Sequence, residues 1–338
     1  MAATRLGLMG FGRIGRNIFR LLHGRDDLEI VAINDIADPA GLTYLLKYDS
    51  LYGRFPGTVE HQDGKLVYDG RYLSFGSARE PQDTSWGDDD VEIVIDTTSR
   101  YRSLQSLKGH LASGATRVVL TSSPETPGEI PLLLRAINDD LLDDNPQIIA
   151  MGSNTSNAAA PILRTLDQSF GLERAFMTTV KAMSNSGRLA DVPTDSFRTS
   201  RAAGENIIPA ETNSAEILTQ ALPELAGKLS VVSLNVPVPD GSNVDMVAEV
   251  SREVTAEEVN RAMEESIAGY PEVIEYVADP IVSTDVRMNS HSGVFDSLAT
   301  MVTGGTLVKT VIWFNNGWGY SHRVTEVAER IASAGGQR

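Results

Sequence analysis

Apolar residues in the first half of the chain fall into short continuous runs separated by stretches with helical spacing. Leu6, Gly7, Leu8 and Met9 make one run, Ile14, Ile18, Phe19 and Leu22 recur at helical intervals over residues 13–23, and a second run over 29–33 ends at Asn34 and Asp35. Further buried-type runs at 91–95, 118–120 and 148–151 alternate with helical patterns such as 104–111. Strand and helix in strict alternation predict a parallel sheet with helices on both faces, joined by right-handed crossovers. Beyond Gly152 the period changes to two at 176–180, 229–238 and 244–250, which predicts a mixed sheet. Helices are expected over 214–222, over 256–268 behind the Thr255–Glu258 capping box, and over 321–332. Residues 181–209 are rich in Ser, Asn, Arg and Gly and carry little period, and a loop that long in a folded domain is usually functional.

The first strand and first helix are joined by Gly10-Phe11-Gly12-Arg13-Ile14-Gly15, a G-x-G-x-x-G in the context such a motif needs. Gly10 permits a tight turn, Gly12 lets the backbone approach a pyrophosphate, and Gly15 lets helix and strand pack closely. The helix N-terminus then offers N–H groups and positive dipole to phosphate. Asp35 closes the second strand about 20 residues on, where a carboxylate accepts both ribose hydroxyls and repels a 2′-phosphate. NAD is therefore expected rather than NADP. The prediction is an α/β protein, a Rossmann-type doubly wound parallel sheet followed by a second, α+β catalytic domain.

Length and composition narrow the function. At 338 residues, 41% hydrophobic and 22% charged, the chain suits two soluble domains, and no apolar run approaches the ~20 residues of a membrane span. A net charge of −16 with no basic stripe argues against nucleic acid. The opening residues lack the charged-then-apolar pattern of a secretion signal, so a cytoplasmic address is expected. There is no cysteine, which removes disulfides, thiolate metal sites and thiol nucleophiles together, and no metal site is predicted.

Residues 7–20 with Asn34-Asp35 resemble the opening of the glyceraldehyde-3-phosphate dehydrogenase family. The likeness runs on in order through Tyr48-Asp49-Ser50, 137–140, 201–209 (RAAGENIIP), 222–229 (LPELAGKL), 254–260 (VTAEEVN), 279–285 (DPIVSTD) and 313–323 (WFNNGWGYSHR). That resemblance implies an NAD-binding domain over 1–152, to which a C-terminal helix over 319–338 returns, and a catalytic domain over 153–318 with its S-shaped loop at 181–209. It also implies a homotetramer acting on a small-molecule substrate. Asn316, in a segment matched together with Trp313, Trp318, Gly319 and Tyr320, takes the place of the asparagine that holds the nicotinamide carboxamide, although a turn asparagine is the plainer alternative. The candidate cofactor contacts are thus Gly10, Phe11, Gly12, Arg13, Ile14, Gly15, Asn34, Asp35, Thr98, Ser122, Asn316 and Tyr320.

The chemistry departs from the family. Its Ser-Cys-Thr-Thr-Asn segment matches Ser153-Asn154-Thr155-Ser156-Asn157, and its Thr-Val-His-Ala segment matches Thr179-Val180-Lys181-Ala182, so an amide and an amine stand for the thiol and the imidazole. An amide forms no thioester, and the phosphorylating reaction is not expected. Asn235 stands for an arginine before Val236-Pro237, while Ser153, Thr212 and Arg201 match a second anion site. With Thr155 and Ser184 these are the candidate substrate contacts. One reading moves hydride directly between nicotinamide and a carbonyl or hydroxy carbon, with Asn154 donating to the developing oxyanion and Lys181 as acid or base. Lys181 would otherwise form a Schiff base, serve as base to a serine or threonine hydroxyl, or sit in a salt bridge, and Asn154 would cap the helix expected from about Ser156. Two whole-protein alternatives remain open: a non-catalytic NAD-binding scaffold, and a redox-neutral enzyme with tightly held NAD.

Overall fold

Strand β1 (Thr4–Met9) buries Leu6 and Leu8 completely and turns sharply into α1 (Arg13–Leu22), whose Ile18, Phe19 and Leu22 pack inward. Next come β2 (Leu28–Asn34), α2 (Pro39–Lys47), and a small ribbon of β3 (Tyr48–Asp49) with β4 (Gly53–Arg54). Helix α2 begins where Asp38 accepts from the Gly41 N–H at 2.9 Å and Pro39 pre-sets the first helical φ. The strands β5 (Val59–Gln62), β6 (Lys65–Tyr68), β7 (Arg71–Gly76), β8 (Ile93–Asp96), β9 (Arg117–Leu120) and β10 (Ile148–Ala150) follow, with α3 (Leu104–Ala112) between β8 and β9. They form an eight-stranded sheet in the order β10-β9-β8-β1-β2-β7-β6-β5. From β10 to β7 every neighbour is parallel, as the alternation of strand and helix predicts. The edge at β6 and β5 is antiparallel, and the sequence reading had not anticipated it.

The second unit starts with α4 (Asn154–Phe170) and the long strand β11 (Leu172–Lys181). After them come β12 (Ile208–Ala210), α5 (Ser214–Ala221), β13 (Leu229–Asn235), β14 (Ser242–Val250), α6 (Ala256–Ile267), β15 (Ile274–Val277), β16 (Gly293–Thr303) and β17 (Leu307–Phe314), and then α7 (Trp318–Gly335), which from Ser321 onward belongs to the first unit. The sheet of the second unit is mixed, in the order β12-β13-β11-β14-β17-β16-β15. Alternation along β11 and β14 sends Ala175, Met177 and Thr179, with Val244, Met246 and Ala248, to one buried face. There α4 lays down Ala158, Ala159, Ile162, Leu163 and Leu166, and α6 adds Val259, Met263 and Ile267. Truncating one such side chain, as in Met246→Ala, costs about 2–5 kcal/mol. The opposite face of the sheet leaves Phe176 54% and Met301 58% exposed.

The computed structural model describes residues 3–185 and 187–335; residues 1–2 and 336–338, at the ends of the expected NAD domain and C-terminal helix, and Ser186 in the long loop lie outside them. Contacts gather the chain into two units. One takes the polypeptide up to Leu133, Asp139–Gly152 and the part from Ser321 onward, and the other takes Leu134–Asn138 and Ser153–Tyr320. Among the described residues no helix is long and apolar enough to cross a membrane.

Candidate functional site

The glycine turn of the first unit is held open by its own bonds. Gly10 has φ +93, and a Cβ there would lie 2.9 Å from Thr97 Oγ1 and 3.0 Å from Thr98 Cγ2. At Gly15 a Cβ would come within 2.4 Å of the Gly10 carbonyl oxygen, so only glycine lets α1 start this close to β1. Gly12 is different: nothing lies within 4 Å of where its Cβ would be. That open space faces a helix start with no side-chain cap and no acidic residue in its first turn, leaving its N–H groups and dipole unspent. Anionic phosphate fits it. Asp35 closes the turn by accepting from Phe11 N at 2.7 Å and from Ala37 N at 2.9 Å, while its carboxylate stays half-buried rather than sealed.

Other expected cofactor residues are more committed to the protein. The Phe11 ring is fully buried edge-on against Phe19, so this residue can meet a ligand only through its main chain. Asn34 is buried too, its amide paired with both the N–H and the C=O of Ala78 at 2.9 and 2.8 Å. Arg13 and Ile14 are half-exposed on the first turn of α1. Thr98 gives its N–H and hydroxyl to Asp96 at 2.9 and 2.6 Å, whereas the Ser122 hydroxyl is buried with no hydrogen-bond partner, a polar atom still to be satisfied.

Sequence reasoning missed the supports beneath this loop. Thr97 Oγ1 donates to the Gly10 carbonyl at 2.8 Å and Arg16 Nη1 to the Phe11 carbonyl at 3.0 Å. Burial holds the Arg16 pKa below its ordinary value. Beneath Thr98, Asp96 meets His110 Nε2 at 3.2 Å, and Trp86 Nε1 donates to His110 Nδ1 at 2.9 Å, all fully or almost fully buried. Because the indole can only donate, Nδ1 accepts and Nε2 carries the proton toward the carboxylate. Nothing in residue spacing announces a chain of contacts assembled from three separate segments.

In the second unit α4 begins at Asn154, not near Ser156, because Ser153 caps it: Ser153 Oγ accepts from Ser156 N at 3.1 Å and Ser156 Oγ accepts from Ser153 N at 2.9 Å. The capping role weighed for Asn154 thus belongs to Ser153, whose hydroxyl is occupied by it. Asn154 instead donates from Nδ2 to the Asn316 carbonyl at 2.9 Å and accepts the Thr155 N–H on Oδ1 at 2.8 Å. Thr155 is fully buried and its hydroxyl has no hydrogen-bond partner.

Asn316 is the centre of this cluster. Its Oδ1 accepts the Ser242 hydroxyl, Ser242 Oγ accepts the Ala182 N–H at 2.9 Å, and Asn316 Nδ2 reaches the Ala182 carbonyl at 3.4 Å. The turn around it is braced by Asn315, which gives Nδ2 to Asp240 at 2.8 Å and accepts from Gly317 N and Trp318 N at 2.9 and 2.6 Å. Lys181 immediately precedes Ala182, at the end of β11 on the side-chain parity of Met177 and Thr179. Asn235 is its register partner in β13, so the two side chains share one face. Among the described residues Lys181 has no ion-pair partner, and burial alone pushes its amine below the usual lysine range.

The remaining expected substrate contacts are engaged elsewhere or exposed. Arg201 is exposed and paired with Asp191 at 3.0 Å, Thr212 bonds Ser214 at 2.8 Å, and Ser184 is exposed. Among the described residues no hydrogen bond joins Arg201 or Thr212 to Ser153. The Tyr320 ring is buried, and burial raises its phenol far above the usual range, so it serves as a neutral side chain.

Comparison with known proteins identifies the family. Residues 4–104 match the model described as the glyceraldehyde 3-phosphate dehydrogenase NAD binding domain, and residues 153–316 match that family's C-terminal domain. The glyceraldehyde-3-phosphate dehydrogenase of Priestia megaterium is 40% identical over 335 residues, covering 98% of this chain and 99% of that protein. Glyceraldehyde-3-phosphate dehydrogenase 2 of Streptomyces avermitilis is 42% identical over 329 residues, covering 96% and 97%. The enzyme of that name from Geobacillus stearothermophilus is 40% identical over 335 residues, covering 98% and 99%.

Proposed function

This chain belongs to the glyceraldehyde 3-phosphate dehydrogenase family of NAD-dependent oxidoreductases, and on that premise we propose that it moves hydride to or from a small polar, anionic carbonyl or hydroxy compound without passing through a thioester. NAD is the cofactor of the family, and when bound it supplies the hydride acceptor, or as NADH the donor. The observation that carries the reading is Lys181, an amine desolvated on the covered face of the sheet with no ion-pair partner among the described residues. The chain contains no cysteine to catch an acyl group, and the position that resembles the family's nucleophile is Asn154.

Each side chain then has a task. Gly10, Gly12 and Gly15 with the first turn of α1 hold the pyrophosphate, and Asp35 takes the ribose hydroxyls. Ser122, with Thr98 fixed by Asp96, is available to the nicotinamide half. Asn316 offers Nδ2 to the carboxamide. Lys181 Nζ takes the hydroxyl proton as an alcohol is oxidised and returns it as a carbonyl is reduced, which a lysine does best when its pKa is brought toward the working pH. Asn154 keeps one Nδ2 proton beyond the one given to Asn316, and this remaining donor, with the Asn235 amide, faces the oxygen that changes charge. Direct transfer is balanced without any acyl intermediate, because carbinol and carbonyl differ by one hydride and one proton.

The apolar sheet face bearing Phe176 and Met301 supports a homo-oligomer, and the acidic chain is read as cytoplasmic. A scaffold reading draws on one observation: both ends of the Asn154 amide are used inside the protein. Purified protein incubated with NADH and a panel of small aldehydes, ketones and keto acids separates the two. Turnover lost in Lys181→Ala supports the enzyme, whereas NAD binding without turnover on the whole panel favours the scaffold. Glyceraldehyde 3-phosphate with NAD and phosphate is the control, and rapid acylating turnover there would overturn the proposal.

A further inference from the structure

The amide of Asn316 is not free to face either way. Ser242 Oγ is buried, and one of its lone pairs is taken by the Ala182 N–H at 2.9 Å. Its proton goes to Asn316 Oδ1, its acceptor among the described residues. On the other side the Ala182 carbonyl, 3.4 Å from Nδ2, accepts and cannot donate. Turning the amide over would set Oδ1 against that carbonyl and leave the buried Ser242 proton without its acceptor. Both neighbours select the same orientation, and one Nδ2 proton remains unspent. Asn316 is itself half-exposed, so that proton is within reach of a ligand.

We infer that Ser242 is a positioning residue whose hydroxyl locks Asn316 as a hydrogen-bond donor, so that the site selects dinucleotides carrying a carbonyl oxygen on the pyridine ring. This rests on the reading that Asn316 meets the nicotinamide. Its geometric basis is the relay from Ala182 N–H through Ser242 Oγ–H to Asn316 Oδ1, closed by the Ala182 carbonyl. The same serine fixes the main chain next to Lys181, so the orientation of the pyridine and the position of the amine are set by one hydroxyl.

The test is equilibrium binding of three probes, followed by tryptophan fluorescence or calorimetry: NAD, its 3-acetylpyridine analogue, and ADP-ribose. The acetyl group keeps the carbonyl acceptor and lacks the carboxamide N–H donors, and ADP-ribose has no pyridine at all. Wild-type protein should hold NAD and the acetyl analogue at comparable affinity. In Ser242→Ala only the long contact to the Ala182 carbonyl opposes inversion of the amide. The inverted amide presents Oδ1, which can pair with the NH2 of NAD but repels an acetyl oxygen. The acetyl analogue should then weaken about tenfold, the loss of one hydrogen bond at ~1.4 kcal/mol, while NAD weakens less and ADP-ribose does not change.

A merely structural role would shift all three probes together. Ser242→Ala also strands the Ala182 N–H, so its thermal midpoint will fall, and the ratio between probes rather than any single affinity is the readout. Ser242→Cys, a weaker donor of similar shape, should give an intermediate ratio and keeps the test open where the alanine variant does not fold. An unchanged ratio of NAD to acetyl analogue in a folded variant overturns the inference. Asn316→Ala distinguishes the underlying reading: if it leaves all three affinities unchanged, Asn316 does not meet the pyridine and both fall. If it weakens NAD while Ser242→Ala leaves the ratio intact, only the lock falls.

Discussion

The side-chain amide of Asn154 donates to the main-chain carbonyl of Asn316 at 2.9 Å, tying the head of α4 to the turn that begins α7. A thiol at position 154 would make that bond poorly. Asn154→Ala should therefore lower stability by about 0.5–1.5 kcal/mol, the ordinary worth of one buried hydrogen bond. If the bond also sets Asn316, NAD affinity falls roughly three- to tenfold while ADP-ribose affinity is unchanged. Thermal melts and titration with both ligands check this, and equal loss of the two would show that the bond serves the fold alone.

Lys181 carries the strongest pH prediction. Because burial lowers its pKa, a rate that depends on the free amine should rise with pH through a value below the usual lysine range and then level off. Lys181→Ala should cost about 10²–10⁴-fold in turnover, and Lys181→Arg, which keeps a charge that does not come off, should not restore it. For stability the sign is fixed by proton binding. Between the folded and unfolded pKa values the unfolded chain binds more protons at this group, so its contribution to stability rises with pH across that window, and below it the folded state bears the cost of a buried ammonium. Lys181→Met should melt higher than wild type near neutral pH, with the gap closing as pH is raised. Differential scanning calorimetry at several pH values would reveal the opposite trend if the amine were paired in solution.

Two glycines of the same turn should fail differently. Gly15→Ala places a methyl 2.4 Å from the Gly10 carbonyl oxygen and should destabilise by about 1–3 kcal/mol. Gly12→Ala meets nothing within 4 Å, so it should melt like wild type yet lose most of its affinity for NAD and ADP-ribose alike. Normal ligand binding by Gly12→Ala would mean that the open space beside it is not where phosphate sits.

His110→Leu removes the acceptor of Trp86 Nε1 and a neighbour of the Asp96 carboxylate at one stroke, both inside the core. The expected loss is on the order of 3 kcal/mol, accompanied by a change in tryptophan emission. A variant as stable as wild type would show that the imidazole is not needed to satisfy them.

Local rules accounted for much of the fold. The alternating runs located β1, β2, β8, β9 and β10, the capping box at Thr255 and Glu258 started α6 where it should, and Gly10, Gly12 and Gly15 differ in their surroundings as the motif requires. Strands β5 to β7 were not read, although the signal was present. Asp63-Gly64 and Asp69-Gly70 are two-residue turns whose four φ values are all positive, the chemistry of a tight hairpin between short strands. At the candidate site Asn316 and Lys181 stand out in the sequence because neighbouring residues resemble a known pattern. Ser242, Asp240 and the Trp86-His110-Asp96 relay do not, since a hydroxyl 74 residues from the amide it orients leaves no periodic trace in the chain.

The bonds that shape the glycine turn, from Thr97 to Gly10, from Phe11 to Asp35 and from Arg16 to Phe11, all run between the protein's own groups. On the proposed reading, a dinucleotide would meet a turn braced by these bonds, and such bracing lowers the ordering cost of binding. Coenzyme recruitment and reaction type would then be decoupled: the head of α4 and the end of β11 would exchange one set of reactive groups for another while the nucleotide clasp stays as it is.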